Sequence, residues 1–108
     1  MKNADLFTEL TAIYRKHGWQ LRRALLRPEM RVELQSQLPD DVLVKEATFD
    51  ALWFSRPSHN NREAWELRLL AQTQYALFET FEVDETEEER EDVKLEMEAR
   101  MRDYSASN

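Results

Sequence analysis

The sequence predicts an α+β domain in which helices pack on an antiparallel sheet. Both ends of the chain carry apolar residues three and four positions apart, which is typical of amphipathic helices. The middle alternates apolar and polar residues between clusters of turn formers, which is typical of strands. We expect one domain over residues 1–104 and a frayed tail over 105–108, since 108 residues with 42% apolar content suffice for one core.

The first helix is predicted over residues 3–17. Leu6 and Leu10 begin an apolar stripe with helical spacing, and Asn3 suits the N-cap. The only glycine in the chain, Gly18, follows three basic or titratable residues, as at a helix C-terminus closed by a left-handed residue. The chain is then expected to turn so that the next residue, Trp19, enters the core.

Residues 19–26 fit two structures. The alternation of Trp19, Leu21 and Leu25 favours a strand, whereas Leu21, Ala24 and Leu25 also fit a helix. We favour the strand, because a helix would begin directly after a helix stop. On this strand Arg23 falls among apolar residues and needs a carboxylate partner or an aromatic surface.

A short helix is predicted after residue 27. Pro28 suits the first helical turn, and Met30, Leu34 and Leu38 recur every four residues. Pro39 then ends the helix and opens the next turn.

The middle of the chain predicts a three-stranded antiparallel meander. Turn formers at 57–61 and a polar segment at 72–74 separate its strands. The first strand is either one long strand or two short ones around Lys45 and Glu46. The strand segments are 42–44 with 47–55, then 64–70, and then 75–81.

Symmetric turns would distribute large apolar residues over both faces of this meander. One face would carry Leu52, Phe54, Trp65, Leu67, Leu69 and Phe78. The other would carry Phe49, Trp53, Leu70, Tyr75, Leu77 and Phe81, with Glu66, Arg68 and Glu79 among them. Either helices cover both faces, or one face is partly left for a partner. The second alternative predicts an interaction surface made of Trp53, Tyr75, Leu77, Phe81 and Arg68.

The last helix is predicted over residues 87–104. Thr86 and Glu89 have the spacing of a capping box at its start. A narrow apolar stripe containing Met97 and Met101 indicates that one thin edge of the helix packs on the domain.

Several classes of chemistry have no support in the sequence. The chain has no cysteine, and a single glycine excludes the familiar glycine-rich phosphate loops. His17 is explained by a helix end and His59 by a turn, so no catalytic, cofactor-binding or metal-binding residue is predicted. We therefore expect a protein that is not an enzyme and needs no cofactor.

The N-terminal region shows neither a signal peptide nor a membrane span. The sequence therefore predicts a cytoplasmic protein without a membrane partner.

Charge is distributed unevenly along the chain. Residues 1–38 carry seven Lys or Arg and four Asp or Glu, while residues 39–108 carry eight and eighteen. The overall net charge of −7 argues against nucleic acid as the main partner. The basic residues near the N-terminus nevertheless form a candidate polyanion patch, with structural ion pairs as the alternative interpretation. This patch consists of Arg15, Lys16, Arg22, Arg27 and Arg31.

Three functional hypotheses follow. The first is a small acidic interaction or regulatory protein that uses an aromatic sheet face or edge to bind a protein partner or a second copy of itself. The second is a ligand-binding domain or an enzyme with an aromatic pocket and an arginine such as Arg23 or Arg68. The third is polyanion binding through the N-terminal arginines.

Overall fold

Residues 2–107 fold into three α-helices and one five-stranded mixed sheet. The computed structural model describes residues 2–107. The elements are α1 (Asn3–Lys16), β1 (Gln20–Leu26), α2 (Pro28–Leu34), β2 (Leu43–Glu46), β3 (Ala51–Pro57), β4 (Glu63–Leu69), β5 (Ala76–Phe81) and α3 (Glu87–Ala106). The predicted α+β class is confirmed, and residues 20–26 form a strand. None of the described helices is long and apolar enough to cross a bilayer.

The strand order is β2-β1-β3-β4-β5. The meander β3-β4-β5 is antiparallel, as predicted, while β2 pairs in parallel with β1 after the α2 crossover. The segment around Lys45 and Glu46 thus belongs to a separate edge strand. Residues 47–50 pass across the end of β1, where the Ala47 N–H donates to the Leu26 carbonyl at 3.0 Å and the Arg27 N–H donates to Asp50 Oδ1 at 2.9 Å.

Gly18 closes α1 as the sequence predicts. Its φ is +86°, its N–H donates to the Arg15 carbonyl at 3.0 Å, and the Trp19 N–H donates to the Tyr14 carbonyl at 2.9 Å. This pair of hydrogen bonds is a Schellman motif. Trp19 is 9% exposed and packs in the core. At the other end of α1, the N-cap position is Lys2 rather than the predicted Asn3.

We expect Gly18→Ala to lower the free energy of unfolding by about 1–2 kcal/mol, measured by urea denaturation. A Cβ at this position would meet nothing within 4 Å, so the loss would come from the left-handed backbone alone. Gly18→Asn is the control, because asparagine tolerates this conformation better and should lose less. An alanine variant as stable as the wild type would contradict the helix-closing role.

Two hydrophobic cores lie on opposite faces of the sheet. The first core packs α1 and α2 against one face and consists of Phe7, Leu10, Tyr14, Trp19, Ala24, Leu26, Met30, Leu34, Val42, Leu52, Phe54, Ala64 and Leu70. The second core packs α3 against the other face and consists of Leu25, Phe49, Ala51, Trp53, Trp65, Leu67, Leu69, Leu77, Phe81, Met97 and Met101. Helices therefore pack on both faces, which explains why the sequence shows large apolar residues on both.

The predicted division of the meander between its faces was correct for β3 and β5 and wrong for the middle strand β4. In the structure Trp53 pairs with Leu67, and Leu67 pairs with Leu77, so these residues share the α3 face. The loop between β3 and β4 spans residues 58–62. Because this loop has an odd number of residues, each odd-numbered residue of β3 pairs with an odd-numbered residue of β4. Leu52 and Phe54 consequently face α1 and α2, together with Glu66 and Arg68.

The start of α3 agrees with the sequence, while its end does not. The Glu89 N–H donates to the Thr86 hydroxyl at 3.1 Å, and the Thr86 N–H donates to the Glu89 carboxylate at 3.0 Å, which confirms the capping box. The capping hydrogen bonds also lower the pKa of Glu89. The helix continues to Ala106 rather than ending at residue 104, so residues 105 and 106 of the predicted frayed tail are helical, and Asn108 lies outside the described residues.

Candidate functional site

The five residues of the predicted interaction surface do not form one exposed surface. Trp53 and Phe81 are 0% and 1% exposed beneath α3, and Leu77 is also buried there. Tyr75 stacks on Tyr104 with ring centroids 3.6 Å apart. Arg68 faces the opposite side of the sheet, because its neighbour Leu67 faces α3. The aromatic side chains that suggested a partner face are thus core residues.

The outer edge of β5 is exposed instead. β5 is the last strand of the sheet, and the Leu69 N–H donates to the Tyr75 carbonyl at 2.9 Å. Hydrogen-bonded pairs alternate along an antiparallel ladder, so the backbone groups of the even-numbered residues Ala76, Phe78 and Thr80 point away from β4. We call these outward backbone groups, together with the Phe78 side chain, the β5 edge.

Phe78 extends the edge into an apolar patch. Its side chain is 58% exposed and lies edge-on to Trp19, with ring centroids 6.4 Å apart. Within the described part of the chain, no residue of β5 belongs to the core beneath α1 and α2. On α1, which packs on the same side of the sheet, Ile13 is 47% exposed. The helices on this side therefore stop short of β5.

A polar contact fixes α1 next to this patch. The Tyr14 hydroxyl donates to Glu66 Oε2, and the Tyr14 ring stacks on Phe54 with centroids 4.0 Å apart. Burial, reinforced by the hydrogen bond to the Glu66 carboxylate, raises the pKa of Tyr14 to about 12. Tyr14 stays neutral at physiological pH and holds the end of α1 on β4.

The β5 edge has few of the features that usually prevent strands from pairing. β5 contains no proline or lysine, and its register with β4 is regular over its full length. One local contact protects it, since the Thr80 N–H donates to the carboxylate of its neighbour Glu79 at 3.0 Å. The backbone groups of Phe78, at the centre of the strand, lie on the open side.

The N-terminal basic residues are not gathered into one patch. Arg22 lies near the start of β1 and Arg27 follows its end, about 16 Å away by the rise of an extended strand. Arg27 donates to the buried Asp50 at 2.9 Å and 2.8 Å, and this hydrogen bond raises the pKa of Arg27. Arg15 and Lys16 lie in the last turn of α1, while Arg31 lies in the last turn of α2.

Arg23 has both kinds of partner that the sequence analysis required. Its NH2 lies 2.8 Å from Glu91 Oε1, and its guanidinium carbon lies 5.6 Å from the centroid of the Trp65 ring. A register shift between Leu21 and Arg23 places Leu21 in the other core. Arg23 and Leu21 therefore do not share a face, contrary to the alternation that predicted it.

Two residues of functional interest were not predicted from the sequence. The sequence places Phe78 on the face opposite the candidate interaction surface, and its exposure follows from its position on an edge strand, which depends on the strand order. Lys94 is 2% exposed, and it lies three residues before Met97 and seven before Met101, on the buried side of α3. That spacing marks it as a buried lysine.

None of the protein-family models, curated proteins and solved structures compared with this chain matches it. Among residues 2–107, no group of three or more His, Asp or Glu side chains is arranged to hold a metal ion.

Proposed function

We propose that this chain is a non-catalytic protein–protein interaction protein whose β5 edge binds a second copy of the same chain. The observation that carries the proposal is an unpaired edge strand with an exposed phenylalanine at its centre. An unpaired strand offers a row of N–H and C=O groups, and a second strand satisfies them.

The β5 edge is complementary to itself. In an antiparallel arrangement centred on Phe78, the two Phe78 residues face each other as a hydrogen-bonded pair, and Ala76 of each copy faces Thr80 of the other. Only even-numbered residues exchange hydrogen bonds in this register, and these are the residues whose backbone groups point outward. The same two-fold arrangement serves both copies, as an isologous dimer requires.

The side chains near the β5 edge also favour a second copy of the chain as the partner. Phe78 would contact its counterpart directly across the interface, and aromatic cross-strand pairs stabilise antiparallel sheets. The exposed Ile13 and the covered Trp19 lie on the same side of the sheet and would extend the apolar contact. The Glu79 carboxylate would have to release the Thr80 N–H, which is the one local hydrogen bond the dimer displaces.

The oligomeric state of the full-length chain tests this proposal. Sedimentation equilibrium should give a concentration-dependent mass approaching twice 13.0 kDa. Phe78→Lys should raise the dissociation constant at least about tenfold, because two lysines would face each other across the interface. Val83→Lys is the matched control, since Val83 is 66% exposed and lies outside the strand, and it should leave dimerisation unchanged.

Amide hydrogen exchange locates the interface. Protection of Ala76, Phe78 and Thr80 should rise with protein concentration, while Leu77 and Glu79, which bond to β4, should not change. A wild-type chain that is monomeric up to its solubility limit, or a dimer that Phe78→Lys does not weaken, would exclude the proposal.

A further inference from the structure

A cavity of about 470 Å³ lies where the first turns of α3 cross the starts of β1 and β4. Four basic side chains and three carboxylates line it, with the ring of Trp65 among them. The charged lining residues are Arg22, Arg23, Arg90, Lys94, Asp41, Glu63 and Glu87.

Lys94 is the least usual of these residues. Its side chain is almost completely buried, and Nζ lies 3.5 Å from the centroid of the Trp65 ring. The closest carboxylate oxygen, Glu91 Oε2, is 3.9 Å away, which is an ion-pair distance but too long for a hydrogen bond. Nζ also lies 5.5 Å from the centroid of the Phe81 ring, so aromatic faces and one distant carboxylate surround this ammonium group.

A second donor in the same lining is also unused. Arg90 NH2 donates to the Glu82 carbonyl at 2.6 Å, and Arg90 NH1 lies 3.5 Å from Glu63 Oε1. Arg90 Nε, by contrast, is buried without a hydrogen-bond partner among the described residues. Buried donors are normally satisfied, and leaving one without an acceptor destabilises the folded chain. Arg90 also lines the cavity, so a shift of its side chain would bring this N–H to an acceptor bound there.

We propose that this cavity binds the carboxylate group of a small organic acid, with Lys94 and Arg90 as its principal hydrogen-bond donors. A carboxylate oxygen accepts from an ammonium group and from a guanidinium N–H, and both are available here. The site is independent of the β5 edge, because it lies on the α3 side of the sheet.

The charges around the cavity favour one negative charge over two. The Arg23 guanidinium is already held by Glu91 at 2.8 Å, and Glu63 accepts from Trp65 Nε1 at 2.5 Å. These carboxylates repel a second negative charge, so inorganic phosphate should bind less well than a monocarboxylate. Burial, and then the neighbouring Arg23, lower the pKa of Lys94, and a bound carboxylate would oppose that shift.

Titration of the full-length chain followed by NMR tests this site. Sodium acetate and sodium propionate would be added at pH 7 and constant ionic strength, with inorganic phosphate as the comparison anion. We expect saturable shifts of the Trp65 indole N–H and of the backbone amides of residues 90–94. Lys94→Met should weaken acetate binding about tenfold or more, as expected for the loss of a charge-assisted hydrogen bond.

Two further variants keep the test decisive if Lys94→Met does not fold. Glu91→Gln should strengthen acetate binding, because it removes the carboxylate that competes for Lys94 and Arg23. Lys45→Met is the matched control, since Lys45 is an exposed lysine that pairs with Glu98 at 3.5 Å, and it should leave the affinity unchanged. The absence of saturation with both carboxylates, equal weakening by Lys45→Met, or tighter binding of phosphate would overturn the assignment.

Discussion

Replacement of Trp53 by alanine is expected to lower the free energy of unfolding by about 3–5 kcal/mol. Trp53 is 0% exposed at the centre of the α3 core, and its ring packs edge-on against Trp65 with centroids 5.9 Å apart. Trp53 Nε1 also donates to Glu98 Oε2 at 2.8 Å, which ties β3 directly to α3. The alanine variant loses both the buried ring and this inter-element hydrogen bond.

Two variants separate these contributions in urea unfolding. Trp53→Phe keeps a ring but removes the donor to Glu98, so we expect a smaller loss of about 1–3 kcal/mol. Leu95→Ala is the control on the same helix, because Leu95 is 53% exposed and its truncation should change stability by no more than about 0.5 kcal/mol. If Trp53→Ala cost no more than Leu95→Ala, the burial of Trp53 beneath α3 would be wrong.

The features predicted correctly from the sequence depend on residues close together in the chain. Gly18 ends α1 because a left-handed residue is needed within one turn of Tyr14, and the Thr86 capping box involves only four consecutive positions. The meander likewise needs only neighbouring strands joined by short polar turns. Each of these rules is local, so the sequence around it contains the information it needs.

The features that could not be predicted depend on pairings between distant segments. β2 lies at the sheet edge because Leu43 pairs with Arg23, twenty positions earlier in the chain. The face that Trp65 occupies depends on whether the β3–β4 loop has an odd or an even number of residues, and the side of Leu21 depends on a register shift in β1. A change of one residue in any of these moves a strand's side chains to the opposite face.

The predicted interaction surface failed for a different reason, because four of its five residues share one face of the sheet as predicted but α3 covers that face. A face assigned to a partner proved to be the α3 core, and Phe78 was exposed because β5 became the last strand. The burial of Lys94 could be predicted from its helical spacing to Met97 and Met101. Its contact with Trp65 could not be predicted, because that contact joins α3 to β4. The residues of a site that spans several elements can be grouped only when the pairing of the strands and the packing of the helices are known.

The stability of the fold is expected to decrease between about pH 10 and pH 12 through the ionisation of Tyr14. The hydroxyl is buried and donates to the Glu66 carboxylate, so the folded chain disfavours a phenolate beside an existing negative charge. The folded pKa of about 12 lies above the ordinary tyrosine pKa of 10.0. The contribution of Tyr14 to stability is therefore complete below pH 10 and is lost as the pH rises through the folded pKa, with a total of about 3 kcal/mol.

Absorbance at 295 nm during an alkaline titration measures the pKa of Tyr14 directly, because it follows the ionisation of the three tyrosines in the chain. Tyr14→Phe should remove the titration step at about pH 12. The free energy of unfolding of Tyr14→Phe should also fall less than that of the wild type between pH 10 and 12, because the replaced group no longer titrates. Identical pH dependence in both proteins would show that the Tyr14–Glu66 contact does not hold α1 on the sheet. In that case no polar contact described here would fix α1 next to the β5 edge.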